Sequence, residues 1–241
     1  MRIRAIFFDI DDTLFPSTRF AELARRNAIN AMVEAGLDVD PELAYRRLLA
    51  VIKKYGSNYE RHFDILLKEL RAGRSPKLTA AGVAAYHNTK STILPFPEVP
   101  RTLLSLRERG YELYVASEGN SVKQWDKLIR LGLHNIFHDV FVSEDIGESK
   151  SKKFFEKILA RLRLDPRSTI MVGDKIEKDM IPARSAGMLT VRITRDQFAA
   201  SRKWSIFAKQ KLERNGKGPA DFEIKKMDEL LRVLEKIEKM E

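Results

Sequence analysis

Apolar residues at helical spacing dominate the chain between its first acidic segment and Pro95. Residues three or four positions apart share one face of a helix, so each such series predicts an amphipathic helix. The apolar positions are Phe20, Leu23, Ala24, Ala28, Ala31 and Met32, then Leu43, Leu48, Val51, Ile52 and Tyr55, then Phe63, Leu66, Leu67 and Leu70, and a series within residues 79–90. Asp40, Pro41 and Glu42 give the second series an N-cap, a first-turn proline and a first-turn acid. Four successive helices predict a small helical bundle.

The segment 94–97 contains two prolines and cannot continue a helix, and beyond it apolar strands alternate with amphipathic helices. The predicted strands end at Ser117, Val142, Asp174 and Ile193, and a last helix is predicted over residues 224–240. This alternation favours a parallel sheet with helices on both faces. The predicted fold class is α/β, a Rossmann-like doubly wound parallel sheet with an inserted α-helical bundle. We expect residues 1–16 and 95–241 to form the core and residues 17–94 to form a helical cap domain.

Composition and charge narrow the possible partners. The 241-residue chain has 44 basic and 34 acidic residues, a net charge of +10, and no cysteine. Without thiols, disulfides and thiolate metal ligands are excluded. The sequence has no single-stranded nucleic-acid-binding motif or recognition helix, so the basic excess favours anionic substrates and no nucleic-acid partner. Its apolar runs are too short for a membrane span. We therefore expect no membrane partner and, by default, a cytoplasmic location.

Two acids, Asp9 and Asp11, directly follow the apolar run of residues 5–8. The period of a strand places both acids on the same side, with Ile10 between them facing away. Carboxylates packed this closely repel one another unless a cation or phosphoryl chemistry uses them. One carboxylate can attack while the second reaches the leaving oxygen. This segment is therefore a candidate catalytic site.

A second acidic segment, residues 169–179, has the same organisation. An apolar strand ends in Gly173 and Asp174, and Asp179 follows about one helical turn later. Two such strand ends together offer hard oxygen ligands, which suit Mg²⁺. The alternative interpretation is that each aspartate only caps a turn or a helix. For one segment alone both interpretations stand, whereas the two segments together favour a metal site.

These two segments and two others resemble, in order, the four motifs of the haloacid dehalogenase-like hydrolase superfamily. The first motif resembles residues 9–13, which read Asp-Ile-Asp-Asp-Thr, and the second matches the strand 113–117, which ends in serine. The third is similar to the segment around Lys150, and the fourth matches residues 173–179. The resemblance covers essentially the whole chain. Members of this superfamily are mostly Mg²⁺-dependent phosphatases.

The resemblance implies a role for each motif residue. It implies Asp9, Asp11 and Lys150 as catalytic, Ser117, Glu118 and Lys150 as phosphate-binding, Asp9, Asp11 and Asp174 as metal-binding, and Thr13 and Asp179 as supporting residues. Family members often carry Lys-Pro in the third motif, so Lys150 fits with a one-residue deletion and Lys152 is the alternative. Glu118 beside Ser117 is unexpected, because a carboxylate repels phosphate. We expect its side chain to point away while its backbone N–H faces the site.

The implied function is hydrolysis of a small phosphorylated metabolite, a phosphoric monoester, through an aspartyl-phosphate with Mg²⁺ as cofactor. A phosphosugar mutase would share every core residue. A 2-haloacid dehalogenase of the same fold has no alcohol leaving group to protonate, so Asp11 argues against it. A non-enzymatic phospho-acceptor signalling module is an alternative from a different class, but it would be far shorter and would lack the helical insert. The sequence therefore favours a phosphatase.

Substrate choice is expected in the helical cap, where residues 55–62 form its most polar junction. The candidate specificity residues are Ser57, Asn58, Arg61 and His62. A plain helix connection is an equally supported interpretation, because loops between bundle helices are routinely polar. The basic, aromatic stretch 196–218 is interpreted as a connection that covers the sheet edge rather than as a membrane or partner helix.

Overall fold

The chain divides into two compact units. The computed structural model describes residues 2–57, 59–195 and 220–239. The described parts of Met1–Pro16 and Leu94–Glu241 form the first unit, and those of Ser17–Ile93 form the second. The candidate specificity residue Asn58 and the basic stretch 196–218 lie outside the described residues. The assignment of these units as a catalytic core and a cap stays a prediction.

The first unit is built on a parallel sheet. Its strands are β1 (Ala5–Phe8), β2 (Glu112–Ser117), β3 (Asp139–Val142), β4 (Thr169–Gly173), β5 (Leu189–Ile193) and β6 (Phe222–Ile224). Within the described residues they form one six-stranded parallel sheet of order β3-β2-β1-β4-β5-β6. Phe8 at the end of β1 pairs with Val115 of β2 and with Val172 of β4. The carboxyl ends of these three strands therefore meet at one edge of the sheet, and the predicted α/β fold class is confirmed.

Helices connect the strands and form the second unit. They are α1 (Ser17–Glu34), α2 (Pro41–Tyr55), α3 (His62–Glu69), α4 (Pro76–Lys90), α5 (Val99–Glu108), α6 (Ser121–Arg130), α7 (Ser143–Ile146), α8 (Lys152–Leu162), α9 (Ile181–Ser185) and the last described helix, Glu229–Lys239. A π-helical turn at Ile176–Met180 precedes α9. None of the helices in the described ranges is both long and apolar enough to cross a membrane.

Both faces of the sheet are buried. Phe7 stacks on Tyr114 with ring centroids 5.1 Å apart, and both belong to a buried cluster with Phe155 of α8 and Ala183 of α9. Because side chains alternate along a strand, Phe8 faces the opposite side, where it is also fully buried. A strand buried on both faces must be apolar throughout, which explains the continuous apolar run of β1.

Two elements of the first unit differ from their predictions. Residues 224–240 were predicted as one helix, but Phe222–Ile224 is an edge strand and the helix begins at Glu229. A three-residue strand is too short for a periodic signal, so its pairing with β5 decides its structure. The helix predicted after Asp174 begins instead with the π-helical turn Ile176–Met180.

The second unit contains α1 to α4, and α1 packs along α4. The contact is close at Gly82, because a Cβ atom there would lie 2.9 Å from Sδ of Met32. Leu23, predicted on the apolar face of α1, is 47% exposed, and Ile29 is buried in the unit instead. Asp40 caps α2 as predicted, since its carboxylate accepts a hydrogen bond from the Leu43 N–H at 2.7 Å.

Gly82→Leu should destabilise the second unit, because the added side chain collides with Met32. Overpacking of a buried site typically costs about 1–3 kcal/mol. Ala84→Leu on the exposed face of the same helix is the matched control, with an expected change within about 0.5 kcal/mol. Urea unfolding of both variants measures the difference. Equal stability of the two variants would contradict the close packing of α1 on α4.

Candidate active site

The turn after β1 fixes the backbone of both candidate acids. Asp9 follows β1 directly, and its N–H still donates to the Val172 carbonyl of β4 at 2.9 Å. The Leu14 N–H then donates to the Ile10 carbonyl at 2.9 Å, which closes a tight turn. Asp12 in this turn has a φ of 58°. Aspartate tolerates this left-handed conformation better than most other residues with a side chain, so an aspartate suits this position.

Lys150 is a buried cation between two carboxylates. Its Nζ lies 2.8 Å from Oδ1 of Asp9 and 2.5 Å from Oδ1 of Asp179, and its side chain is 1% exposed. Lys152, the alternative motif lysine, is 57% exposed and pairs with Glu156 at 3.2 Å. The structure therefore brings Lys150, and not Lys152, to the candidate nucleophile.

Three buried aspartates form the acidic centre of the site. Asp9, Asp174 and Asp179 each place one carboxylate oxygen within 4.8 Å of the others. Their exposures are 6%, 3% and 1%. Three carboxylates buried this close together are unfavourable unless positive charge offsets them, and a divalent cation beside Lys150 can do so. Because all the donors are hard oxygen atoms, the cluster fits Mg²⁺.

A π-helical turn brings Asp179 back to the end of β4. The Asp179 N–H donates to the Lys175 carbonyl at 2.8 Å, and Oδ2 of Asp179 accepts from the Lys175 N–H at 2.8 Å. A Cβ atom at Gly173 would overlap the Asp179 carboxylate, so only glycine leaves room for it. Single π-helical turns occur frequently at functional sites. The sequence predicted Asp179 near the site but not this turn.

Burial and neighbouring carboxylates have opposite effects on the pKa values of the two lysines. Burial opposes the charged form of Lys150, but Asp179 and Asp9 outweigh it and raise its pKa. Burial opposes the charged form of Lys175 as well, and Asp9 and Asp174 are the main causes that raise its pKa. Burial also raises the pKa of Asp179, while the Lys150 ammonium acts against this shift. Both lysines therefore remain cationic at neutral pH.

The side chain of Asp11 has a different partner. Both of its carboxylate oxygens lie 2.7 Å from Nζ of Lys127, a residue of α6. Lys127 also donates to Oε1 of Gln124 at 3.1 Å. Sequence reasoning missed Lys127, because a lysine on an amphipathic helix is ordinary and Asp11 is 116 positions away. The Lys127 ammonium thus adds a third positive charge near the ends of the strands.

The loop after β2 is held by α7. Ser117 ends β2 and is 1% exposed. Beyond it, the Gly119 N–H donates to Oγ of Ser143 at 2.8 Å, and the Ser121 N–H donates to Oε2 of Glu144 at 2.8 Å. Both acceptors belong to α7, a four-residue helix too short to be predicted from periodicity. The candidate phosphate-binding loop is therefore anchored at two backbone positions.

Glu118 and Thr13 also make defined contacts. Oε2 of Glu118 accepts a hydrogen bond from the backbone N–H of Lys150 at 2.7 Å. Thr13 is fully buried, and its carbonyl accepts from Nη2 of Arg195 at 3.2 Å. Arg195 also donates to Glu98 at 2.7 Å, so it ties the turn after β1 to the segment before α5. Sequence reasoning did not single out Arg195.

The described candidates for substrate specificity all lie in the second unit. Nε2 of His62 is hydrogen-bonded to the Gly56 carbonyl at 2.8 Å, and Arg61 pairs with Asp64 at 3.5 Å. Ser57 is exposed. These local contacts agree with both earlier interpretations, a specificity loop and a plain connection.

Comparison with known proteins agrees with the predicted family. A family model described as haloacid dehalogenase-like hydrolase matches residues 3–187. The glyceraldehyde 3-phosphate phosphatase of Methanopyrus kandleri is 48% identical over 98% of this chain and 99% of its own length. The enzyme of the same name from Pyrococcus furiosus is 43% identical over 98% of this chain and 94% of its own.

A solved structure shares the fold. YfnB of Bacillus subtilis, determined bound to magnesium, superposes with a TM-score of 0.67 at 21% identity, covering 97% of this chain and 99% of the other. This similarity supports the fold alone, whereas the family model and the relatives support the enzyme class. The chain belongs to the haloacid dehalogenase-like hydrolases and is an enzyme of the phosphatase class.

Proposed function

We propose that the protein is a Mg²⁺-dependent phosphatase that hydrolyses a small phosphorylated metabolite through a covalent intermediate on Asp9. The observation that carries this proposal is the buried cluster of Asp9, Asp174 and Asp179 around Lys150. Attack by a carboxylate on an anionic phosphate needs positive charge beside the nucleophile, which Lys150 supplies in part and a divalent cation held by the carboxylates would complete. Glyceraldehyde 3-phosphate is the first substrate to test, because relatives of 43–48% identity are named for it.

The proposed reaction has two displacements at phosphorus. In the first, a carboxylate oxygen of Asp9 bonds to phosphorus while the ester oxygen leaves and takes a proton from Asp11. In the second, water attacks the same phosphorus, gives a proton to Asp11 and releases phosphate from Asp9. Because Asp11 is paired with Lys127 in the structure, proton donation requires Asp11 to leave this ion pair.

The surrounding residues bind and orient the phosphate. The Ser117 hydroxyl and the Glu118 N–H would hold phosphate oxygens, and Lys150 would offset the charge that develops in the transition state. Asp9, Asp174 and the backbone carbonyl of Asp11 would hold Mg²⁺. When bound, the ion reduces the repulsion between the carboxylate nucleophile and the phosphate.

Two other reactions of the same fold are less well supported. A dehalogenase has no alcohol leaving group, so it would leave the acid function of Asp11 unused. A phosphosugar mutase would use the same core residues, but relatives of 43–48% identity are named phosphatases. Ser57, Arg61 and His62 are proposed as substrate-specificity residues of the second unit.

Asp9→Asn should abolish turnover, because an amide oxygen is a poor nucleophile. Asp11→Asn should slow hydrolysis of glyceraldehyde 3-phosphate by on the order of 10²- to 10⁴-fold, the usual contribution of general acid–base catalysis. The rate of the first displacement on an aryl phosphate should decrease less, since a phenolate leaves without a proton. Phosphate release measures complete turnover of both substrates, and the early burst of phenol release measures the first displacement on the aryl phosphate. Appreciable activity of Asp9→Asn would exclude the covalent mechanism.

Excess chelator should abolish activity, and added Mg²⁺ should restore it. Ca²⁺ should inhibit, because its longer bonds and more flexible coordination do not reproduce the octahedral shell of Mg²⁺. Asp174→Ala should weaken Mg²⁺ binding in calorimetric titration while the variant keeps a cooperative thermal transition. Full activity in the presence of chelator would overturn the proposed metal dependence.

Lys150→Ala should lower kcat by on the order of 10²- to 10³-fold, as expected for the loss of one group that stabilises transition-state charge. Lys152→Ala is the matched control, because its side chain is exposed and pairs with Glu156 on the same helix. It should leave kcat near the wild-type value. A larger decrease in kcat for Lys152→Ala than for Lys150→Ala would assign the catalytic role to Lys152.

A further inference from the structure

We infer that the Glu118 carboxylate is a positioning residue for Lys150. Oε2 of Glu118 accepts the backbone N–H of Lys150 at 2.7 Å, and Nζ of Lys150 lies 2.8 Å from Asp9. The carboxylate thus joins the loop after β2 to the segment that carries the buried lysine. The inference rests on the proposed function, in which Lys150 faces the transferring phosphoryl group.

The backbone of Glu118 provides a fixed base for this contact. Nε2 of Gln124 donates to the Glu118 carbonyl at 2.9 Å, and Gln124 is 5% exposed. Gly119 has a φ of 132°, and a Cβ atom there would lie 2.8 Å from the same Nε2. The left-handed backbone and the close approach of Gln124 both favour glycine at this position. The buried amide and the hydrogen bond from Gly119 to α7 together restrain the loop on both sides of Glu118.

The segment that receives the contact is short and fixed at both ends. It comprises residues 147–151, between α7 and α8. At its start the Glu148 N–H donates to the Ser143 carbonyl at 3.2 Å, and at its end Ser151 caps α8 through the Phe154 N–H at 3.4 Å. Between these two ends, the Lys150 N–H donates to Glu118 and holds the connection. Loss of that bond removes one restraint on the backbone from which the Lys150 side chain extends.

The same contact explains why a carboxylate is tolerated beside Ser117. A negative charge next to a phosphate-binding residue is unfavourable unless it is directed elsewhere and compensated. The Lys150 N–H provides a short, charge-assisted hydrogen bond that directs the Glu118 side chain. Nζ of Lys178 lies 3.7 Å from the same oxygen, but its side chain is 51% exposed, so this ion pair is weak.

The test compares Glu118→Ala with Glu118→Gln. The alanine variant should lower kcat on an aryl phosphate by about 10- to 100-fold, the range expected for a misplacement of about 1 Å at a reacting centre. KM should change little, because Lys150 acts on the transition state. Glutamine retains an acceptor oxygen and should recover most of the lost kcat. Lys178→Ala is the control, and it should leave kcat near wild type.

A double-mutant cycle separates positioning from general stabilisation of the fold. In a Lys150→Ala background, Glu118→Ala should cause no further fall in kcat, because its effect passes through Lys150. If Glu118→Ala lowered kcat by the same factor in both backgrounds, the inference would be overturned. A wild-type kcat for Glu118→Ala alone would also overturn it. Should the alanine variant not fold, Glu118→Asp shortens the side chain by one methylene and should show the same loss.

A crystal structure of Glu118→Ala tests the inference without an activity assay. Nζ of Lys150 should be displaced from Oδ1 of Asp9, which lies at 2.8 Å in the wild-type chain. An unchanged position of Lys150 would contradict the positioning role even if activity fell. If the wild-type enzyme hydrolysed no phosphomonoester, the proposed function would fail, while this structural comparison would still decide the role of Glu118.

Discussion

Three carboxylates that are more than nine-tenths buried lie at the ends of two neighbouring strands. Like charges removed from water repel one another strongly, and each loses the hydration it would have in solution. Lys150 offsets part of this repulsion through its contacts with Asp9 and Asp179. Lys175, whose charged form Asp9 and Asp174 favour, adds to this effect, and a bound divalent cation would add further positive charge. The arrangement is stable only if these charges keep fixed separations, so the surrounding backbone has to be rigid.

Each loop around the cluster meets this requirement in a different way. After β1, hydrogen bonds close a tight turn in which Asp12 is left-handed. After β4, a π-helical turn returns Asp179 to the strand end, where Gly173 leaves room for it. After β2, α7 and Gln124 hold the backbone on both sides of Glu118. The central position of β1 between β2 and β4 brings these three loops to one edge.

The sequence alone predicts those site residues whose position depends on the residues next to them in the chain. Asp9 and Asp174 could be predicted because each follows an apolar run directly, and Lys150 because it fits a motif. The ion pair of Asp11 with Lys127 joins residues 116 positions apart and has no local pattern. The same limit applies to the hydrogen bond between Glu118 and Lys150, which are 32 positions apart. The edge strand β6 was missed because three residues cannot display a period.

The stereochemical course at phosphorus tests the central claim most directly. Two successive in-line displacements, first by Asp9 and then by water, each invert the configuration, so a substrate with an isotopically chiral phosphoryl group should give product with overall retention. Transfer to an acceptor alcohol other than water in the second step makes the product chirality measurable. Direct attack by water or the alcohol on the substrate involves one displacement. Overall inversion would therefore contradict the covalent intermediate on Asp9, whatever the metal dependence of the enzyme.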